Sequence, residues 1–304
     1  MSPRELARKA TIIERRGAEA AALMRELFPH TGRAKIYGVT GAPGAGKSTL
    51  VNAMTAQLRS NGLRVGIIAV DPSSPYTGGA ILGDRIRMQG HYADEQVFIR
   101  SMAARGAMGG LAPATLDMAL LMDAAGMEAV IVETVGVGQD EVDIARLADV
   151  TLVVLTPGLG DDVQTIKAGI LEIADVFVIN KADQPGAEKL ERELRSSLTL
   201  GARPDGWEAP VVKTIASEGK GIAEVFEAAE RYLARGAGVE RTERHWRERL
   251  REMYRERLLE ALPAEELDRA AREVAARRAD PYGIVEAWLD ACVAKKNQET
   301  EIRK

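Results

Sequence analysis

The chain has 304 residues, 46% of them hydrophobic, enough for one large or two modest domains with a substantial core. Its 41 basic and 45 acidic side chains leave a formal charge of −4, which gives no electrostatic motive for nucleic acid or an anionic membrane as the main partner. Cys292 is the single cysteine, so an intrachain disulfide or a cysteine cluster for metal is excluded and a reducing, cytoplasmic setting is expected.

The N-terminal stretch "MSPRELARKATIIERRG" lacks the apolar run of a signal peptide, and no segment reads as a bilayer span. Residues 4–28 place Leu6, Ala10, Ile13, Ala20, Leu23 and Leu27 at helical spacing as far as Pro29. From residue 34 the texture changes. Short β-rich runs alternate with helical stretches: "AKIYGV" (34–39), "VGIIAV" (65–70), "QVFIRS" (96–101), "AVIVET" (129–134), "VTLVVLT" (150–156), "VFVIN" (176–180) and "PVVKTI" (210–215). Several are apolar throughout, as strands buried on both faces are. The spacing predicts right-handed parallel crossovers and a doubly wound, mostly parallel α/β domain.

Directly after the first run, "GAPGAGKST" (41–49) fits the pattern G-x-x-x-x-G-K-S/T between a predicted strand and a predicted helix. Gly41, Ala42, Pro43, Gly44, Ala45 and Gly46 supply a turn whose backbone N–H groups face phosphate oxygens, and the helix beginning near Lys47, Ser48 and Thr49 adds its positive end. Lys47 is expected at the β- and γ-phosphates and the Ser48 hydroxyl at Mg²⁺. This loop reads as a nucleoside triphosphate site.

"ETVGVGQDE" (133–141) ends another strand run; Glu133 takes the acidic position usual in GTPases and Gly136 the position whose N–H senses the γ-phosphate. Val137 stands where many GTPases carry a water-orienting glutamine, and Gln139 lies further along, so slow intrinsic hydrolysis is expected. "NKAD" (180–183) follows the sixth run. The Asp183 carboxylate can accept from guanine N1–H and the 2-amino group, Asn180 can bond the base edge and tether the phosphate loop, and the Lys181 stem can cover the purine face. In "KTIASEGKGI", Ile215 replaces the customary serine, while Ala216 retains a backbone N–H for guanine O6. The nucleotide is read as GTP, with GDP as product.

Beyond "RGAG" (235–238) the chain is charged and helix-forming. Trp246, Leu250, Met253, Tyr254, Arg257 and Leu258 are spaced as one mixed face, Pro263 interrupts, a second helical run covers 264–278, and Pro281 precedes a third. A solvated helix and an arm that associates with a second copy are both open at this point. His30, His91 and His245 form no metal-ligand spacing, and Cys292 reads as a small hydrophobe.

Taken together, the phosphate loop, "DPSSPYTGGAILGDRIRM" (71–88), "ETVGVGQ", "PGLGDDVQTIKAGILEIAD" (157–175) and "NKAD" closely resemble the MeaB/ArgK family of P-loop GTPases, over most of 34–230. The resemblance implies a GTPase chaperone of a cobalamin-dependent acyl-CoA mutase such as methylmalonyl-CoA mutase, gating adenosylcobalamin loading from an adenosyltransferase, protection and reactivation. It implies Asp71 and Asp84 beside Ser48 and Glu133 around Mg²⁺. It also implies a third switch in "DDVQTIK", where Asp161, Gln164 and Lys167 join Lys47 and Glu133 in the catalytic set. The residues alone would read 161–171 as an acidic cap and an ordinary amphipathic helix. The expected organisation is an N-terminal helical extension (1–33), a GTPase domain (34–236) and a C-terminal helical dimerisation arm (237–304) that makes a homodimer. Two rivals remain: a P-loop kinase or transport-associated ATPase, against which Asp183 speaks, and an interaction protein that binds GTP without useful turnover.

Overall fold

All seven β-rich runs form strands: β1 (Lys35–Gly41), β2 (Val65–Pro72), β3 (Val97–Ala104), β4 (Ala129–Thr134), β5 (Val150–Leu155), β6 (Val176–Ile179) and β7 (Val211–Lys213). The computed structural model describes residues 1–72, 91, 93–104, 113–134, 140–158, 172–200, 203, 205–235 and 238–302. Among these the strands build one sheet in the order β3-β2-β4-β1-β5-β6-β7. Every pairing is parallel, so the doubly wound α/β expectation holds and the sheet is more uniform than "mostly parallel". The interior strands β4 and β6 are buried at every residue, because helices cover both faces.

On one face, α3 (Lys47–Ser60) and a helix near the end of the domain, Ile222–Leu233, pack Leu50, Met54, Val225 and Tyr232 onto Val39, Ile131, Leu152 and Val154. On the other, α1 (Pro3–Arg15), α2 (Gly17–Leu27), α4 (Pro113–Ala124) and α5 (Asp140–Leu147) bring Leu6, Ile13, Leu27, Met118, Met122 and Ile144 against Ile68, Val130 and Val132. Helix α6 (Ala187–Leu200) extends this cover over Phe177 and Ile179. Continuing the numbering, Ile222–Leu233 is α7.

The helical spacing over 4–28 is divided in two. Arg16 (φ 59°) and Gly17 (φ 86°) turn the chain between α1 and α2, so each helix brings its own apolar residues into the cluster around α4. Arg100 of β3 fastens α1 by donating from Nε to Glu14 Oε1 at 2.7 Å. The buried Asp123 carboxylate of α4 accepts from the backbone of Arg33 (3.3 Å) and Ala34 (3.0 Å), fixing the entry into β1.

At the amino ends of the strands, carboxylates receive amides that the parallel ladder leaves over. Asp149 Oδ2 accepts from Ile36 N (2.8 Å), Asp175 Oδ2 from Thr151 N (2.8 Å) and Glu128 Oε2 from Arg64 N (3.1 Å). Asp175 also takes Arg203 Nη1 at 3.2 Å, and Arg235 stacks over Trp207 at 5.1 Å. These contacts close one rim of the sheet.

The chain divides into two compact units, Met1–Val239 and Glu240–Lys304. The second holds most of α8 (Gly238–Glu260), then α9 (Ala264–Ala275) and α10 (Pro281–Ile302), which start where Pro263 and Pro281 predict. Trp288 Nε1 donates to Glu266 Oε1 at 3.0 Å and ties α10 to α9. Leu250 and Tyr254 of α8 are 60% and 65% exposed, and Met253, Leu259 and Leu267 are also exposed. Among the described residues no helix is long and apolar enough to cross a membrane.

Candidate nucleotide site

The chain leaves β1 for β2 on one side, through α3 on one face; it leaves β4 for β5 on the other side, through α5 on the opposite face. Adjacent strands whose connections diverge in this way open a crevice at their carboxyl ends. The phosphate-loop sequence and Glu133 both fall there.

Gly41 closes β1 with φ +138°, and a Cβ on it would stand 2.1 Å from Val154 O, so no other residue fits against β5. Gly46 (φ +88°) precedes α3, and its added Cβ would meet Asn180 Nδ2 at 2.4 Å. Lys47 is only 6% exposed; its Nζ donates to the carbonyl oxygens of Gly41 (2.8 Å) and Ala42 (3.1 Å), so the ammonium is folded into its own loop. Ser48 Oγ donates to Glu133 Oε1 at 2.7 Å, joining the start of α3 to the end of β4 in a buried contact. Next to it, Thr134 Oγ1 donates to Thr40 Oγ1 at 2.9 Å.

The other half of the site forms around Asn180. Its Nδ2 donates to Ala45 O at 3.0 Å, while its Oδ1 accepts from Thr214 Oγ1 and from Ala216 N, both at 3.1 Å. One buried amide therefore joins the phosphate loop to the 214–216 loop. Ala216 N–H, expected at guanine O6, is directed to Asn180 in this conformation. Lys181 adopts φ +54°, which a residue with a Cβ takes at a cost, and its Nζ donates to Gly44 O at 2.9 Å; the stem thereby lies along the loop. Asp183 is exposed beyond it. Lys220 Nζ stands 2.6 Å from Glu218 Oε2, and that carboxylate first, then Asp183, holds the Lys220 ammonium above the ordinary lysine range.

Lys47, Ser48, Glu133, Asn180, Lys181 and Ala216 thus meet at one rim. Asp71 lies in the last two residues of β2, and its side chain is outside the described residues. Asp84, Gly136, Asp161, Gln164 and Lys167 also lie outside them. Sequence reasoning missed Thr214 and the Thr40–Thr134 pair; only the neighbouring "IA" of "KTIAS" hinted at the former.

The chain is similar to known proteins in sequence and in fold. The sequence profile described as "Methylmalonyl Co-A mutase-associated GTPase MeaB" matches residues 6–267. A Pyrococcus abyssi protein is 55% identical over 227 residues, covering 74% of this chain and 70% of that one. The GTPase ArgK of Escherichia coli is 42% identical over 231 residues, 73% of this chain and 70% of its own. The crystal structure of a protein named "LAO/AO transport system kinase" superimposes with TM-score 0.70 at 31% identity, covering 94% of this chain and 92% of that chain.

Proposed function

This chain belongs to the MeaB/ArgK family of P-loop GTPases, and on that premise we propose that it hydrolyses GTP to gate a cobalamin-dependent acyl-CoA mutase. The carrying observation is Asn180, whose single amide joins the phosphate loop to the 214–216 loop that follows β7. That linkage supports a site in which phosphate binding and guanine recognition are felt together. Asp183, further along the same loop, is the guanine-selecting carboxylate.

The chemistry assigned to the chain's own groups is mainly positioning. The loop amides and the start of α3 cradle the phosphates, which favours negative charge there. Lys47, whose ammonium has three N–H donors and holds the Gly41 and Ala42 carbonyls, is placed to reach β/γ-phosphate oxygens, where charge accumulates in transfer. Ser48 and Glu133 present hydroxyl and carboxylate oxygens already in contact, a donor set that suits a hard cation. With Asp71 and Asp84 they would hold Mg²⁺, which neutralises developing phosphate charge when bound. Val137 leaves the attacking water without its usual orienting amide, so the free protein turns over slowly. Gly136 senses the γ-phosphate, and Asp161, Gln164 and Lys167 relay the nucleotide state to the mutase.

The family's description supports methylmalonyl-CoA mutase as the partner. In that setting GTP gates adenosylcobalamin loading from an adenosyltransferase, protection and reactivation. The apolar side chains exposed on α8 support self-association of the tail into a homodimer. The kinase reading has one point in its favour, the name carried by the superimposable protein, and that name speaks for that protein.

The test is GTP turnover at saturating nucleotide, titrated with methylmalonyl-CoA mutase, beside equilibrium binding of GTP and ATP. Slow basal hydrolysis, stimulation by the mutase and strong guanine preference are expected. Equal binding of ATP, or turnover indifferent to the mutase, would overturn the proposal.

A further inference from the structure

The scheme above uses the carboxyl ends of the strands and leaves the amino ends without a task. Beside the amino ends of β2, β3 and β4 lies a cavity of about 570 Å³, a size usual for small-molecule sites. Leu6 of α1, Val97 and Phe98 of β3, and Met127 just before β4 give it apolar walls, while Arg64 and Glu95 add one charge of each sign. Leu6 and Met127 also belong to the buried core on the α1 face, so these walls rest on packed structure.

Arg64 differs from the other arginines of this region. Its Nη1 donates to Ala125 O at 3.0 Å and to Gly126 O at 3.4 Å, and a Cβ on Gly126 would stand only 2.8 Å from that nitrogen. The opposite edge of a guanidinium, Nε with Nη2, is the one that meets a carboxylate through two parallel hydrogen bonds. Arg59 uses that edge on Asp94, at 2.7 and 3.4 Å, while its own Nη1 donates to Leu63 O. Arg100 uses it on Glu14. Arg64 has the same carbonyl clamp but no such carboxylate. Glu128 accepts from its backbone N, and Asp94 is engaged by Arg59. Among the described residues Arg64 makes no ion pair, and its Nε is the one side-chain nitrogen that is buried without a hydrogen-bond partner. Such a donor costs stability until an acceptor is supplied.

We propose that this cavity binds a small monocarboxylate with an apolar body. The Nε–Nη2 edge of Arg64 takes the carboxylate, and Leu6, Phe98 and Met127 take the chain. Glu95 is exposed and pairs with no cation among the described residues, so a second carboxylate on the ligand would meet a like charge there. The site stands on this rim alone and does not depend on the GTPase reading.

Full-length protein, isotope-labelled at its methionine methyls, is titrated with octanoate, octan-1-ol and octanedioate, and the Met127 resonance, assigned with Met127→Leu, reports the site. Octanoate should shift that resonance and bind about tenfold or more tighter than octan-1-ol, the worth of hydrogen bonds to a charged partner. It should also bind more tightly than octanedioate. Arg64→Lys keeps the charge but loses the fork, and should weaken octanoate about tenfold. Glu95→Gln should narrow the gap between octanoate and octanedioate. Saturation with GDP should leave octanoate affinity unchanged, which separates this site from anion binding in the phosphate loop. The proposal is overturned if octan-1-ol binds as tightly as octanoate, if the Met127 methyl does not move, or if GDP displaces octanoate. It is equally overturned if Arg64→Lys binds octanoate like wild type, or if Glu95→Gln leaves the octanedioate gap as it was. Should Arg64→Lys not fold, octanoate against octan-1-ol on wild type, with the octanedioate gap in Glu95→Gln, decides the same question.

Discussion

Replacing Asn180 by alanine should damage the protein in a way that can be counted. The side chain is buried at 2% exposure and satisfies three groups: Ala45 O, Thr214 Oγ1 and Ala216 N. Each buried polar group left without a partner costs ~1–3 kcal/mol. Water entering the space left by the amide restores part of this, so the low end applies, about 3 kcal/mol for the three. In a unit of this size 1 kcal/mol moves the melting midpoint by roughly 2–4 °C, so a drop of about 6–12 °C is expected. GDP affinity should fall more than tenfold as well, because the phosphate loop and the 214–216 loop lose their common anchor. Asn180→Asp is the sharper control. It keeps an acceptor for Thr214 and Ala216 but sets an oxygen against Ala45 O, so it should lose most of the same stability with no change of volume. Urea denaturation and GDP titration of full-length protein read both effects. A variant of either kind within about 0.5 kcal/mol of wild type would mean the bridge contributes nothing, since surface changes alone reach that size.

Four further outcomes follow. Gly46→Ala places a Cβ 2.4 Å from Asn180 Nδ2 at φ +88°, so it should be destabilised and bind GDP poorly in the same two assays. Asp183→Asn should exchange guanine for xanthine preference, because an amide can donate where the carboxylate accepted; competition between GDP and xanthosine diphosphate measures it. The Arg59 guanidinium, 2.7 Å from Asp94, holds that carboxyl below the usual range. Its stabilising contribution is present above about pH 4 and lost as pH falls through the depressed value, so Asp94→Asn should flatten that part of the acid limb in pH-dependent denaturation. Light scattering on the full-length chain should report a homodimer at micromolar concentration, and Tyr254→Glu with Leu250→Glu should shift it to monomer.

The strands were legible because apolar runs bounded by polar turns leave little choice. Their ends were less so. β1 reaches Gly41 and β3 reaches Ala104 past their apolar runs, since the ladder continues to Val154 and Pro72 whatever the side chains are. β7 stops at Lys213, short of the run, because Ile215 turns back to pair with Lys220 and closes the loop bearing Ala216. The break at Arg16–Gly17 was hidden by helical spacing that persists on both sides of it. In the site, the phosphate loop and "NKAD" are contiguous and could be read locally. Thr214 and Asp123 could not, because their partners lie 34 and about 90 residues away in sequence.

The carboxylates that close the amino ends of the strands have a consequence for communication. With Asp149, Asp175 and Glu128 pinning neighbouring amides, that rim is braced independently of what happens at the carboxyl ends. The two rims are separated by the strand length, about 20–25 Å for strands of seven or eight residues. A stiff parallel sheet is a poor conductor of small loop movements across such a span. A protein that listens for GTP on this surface therefore has to rest against the same rim as the phosphates, and amide exchange on nucleotide binding should quieten there while the braced rim keeps a constant rate.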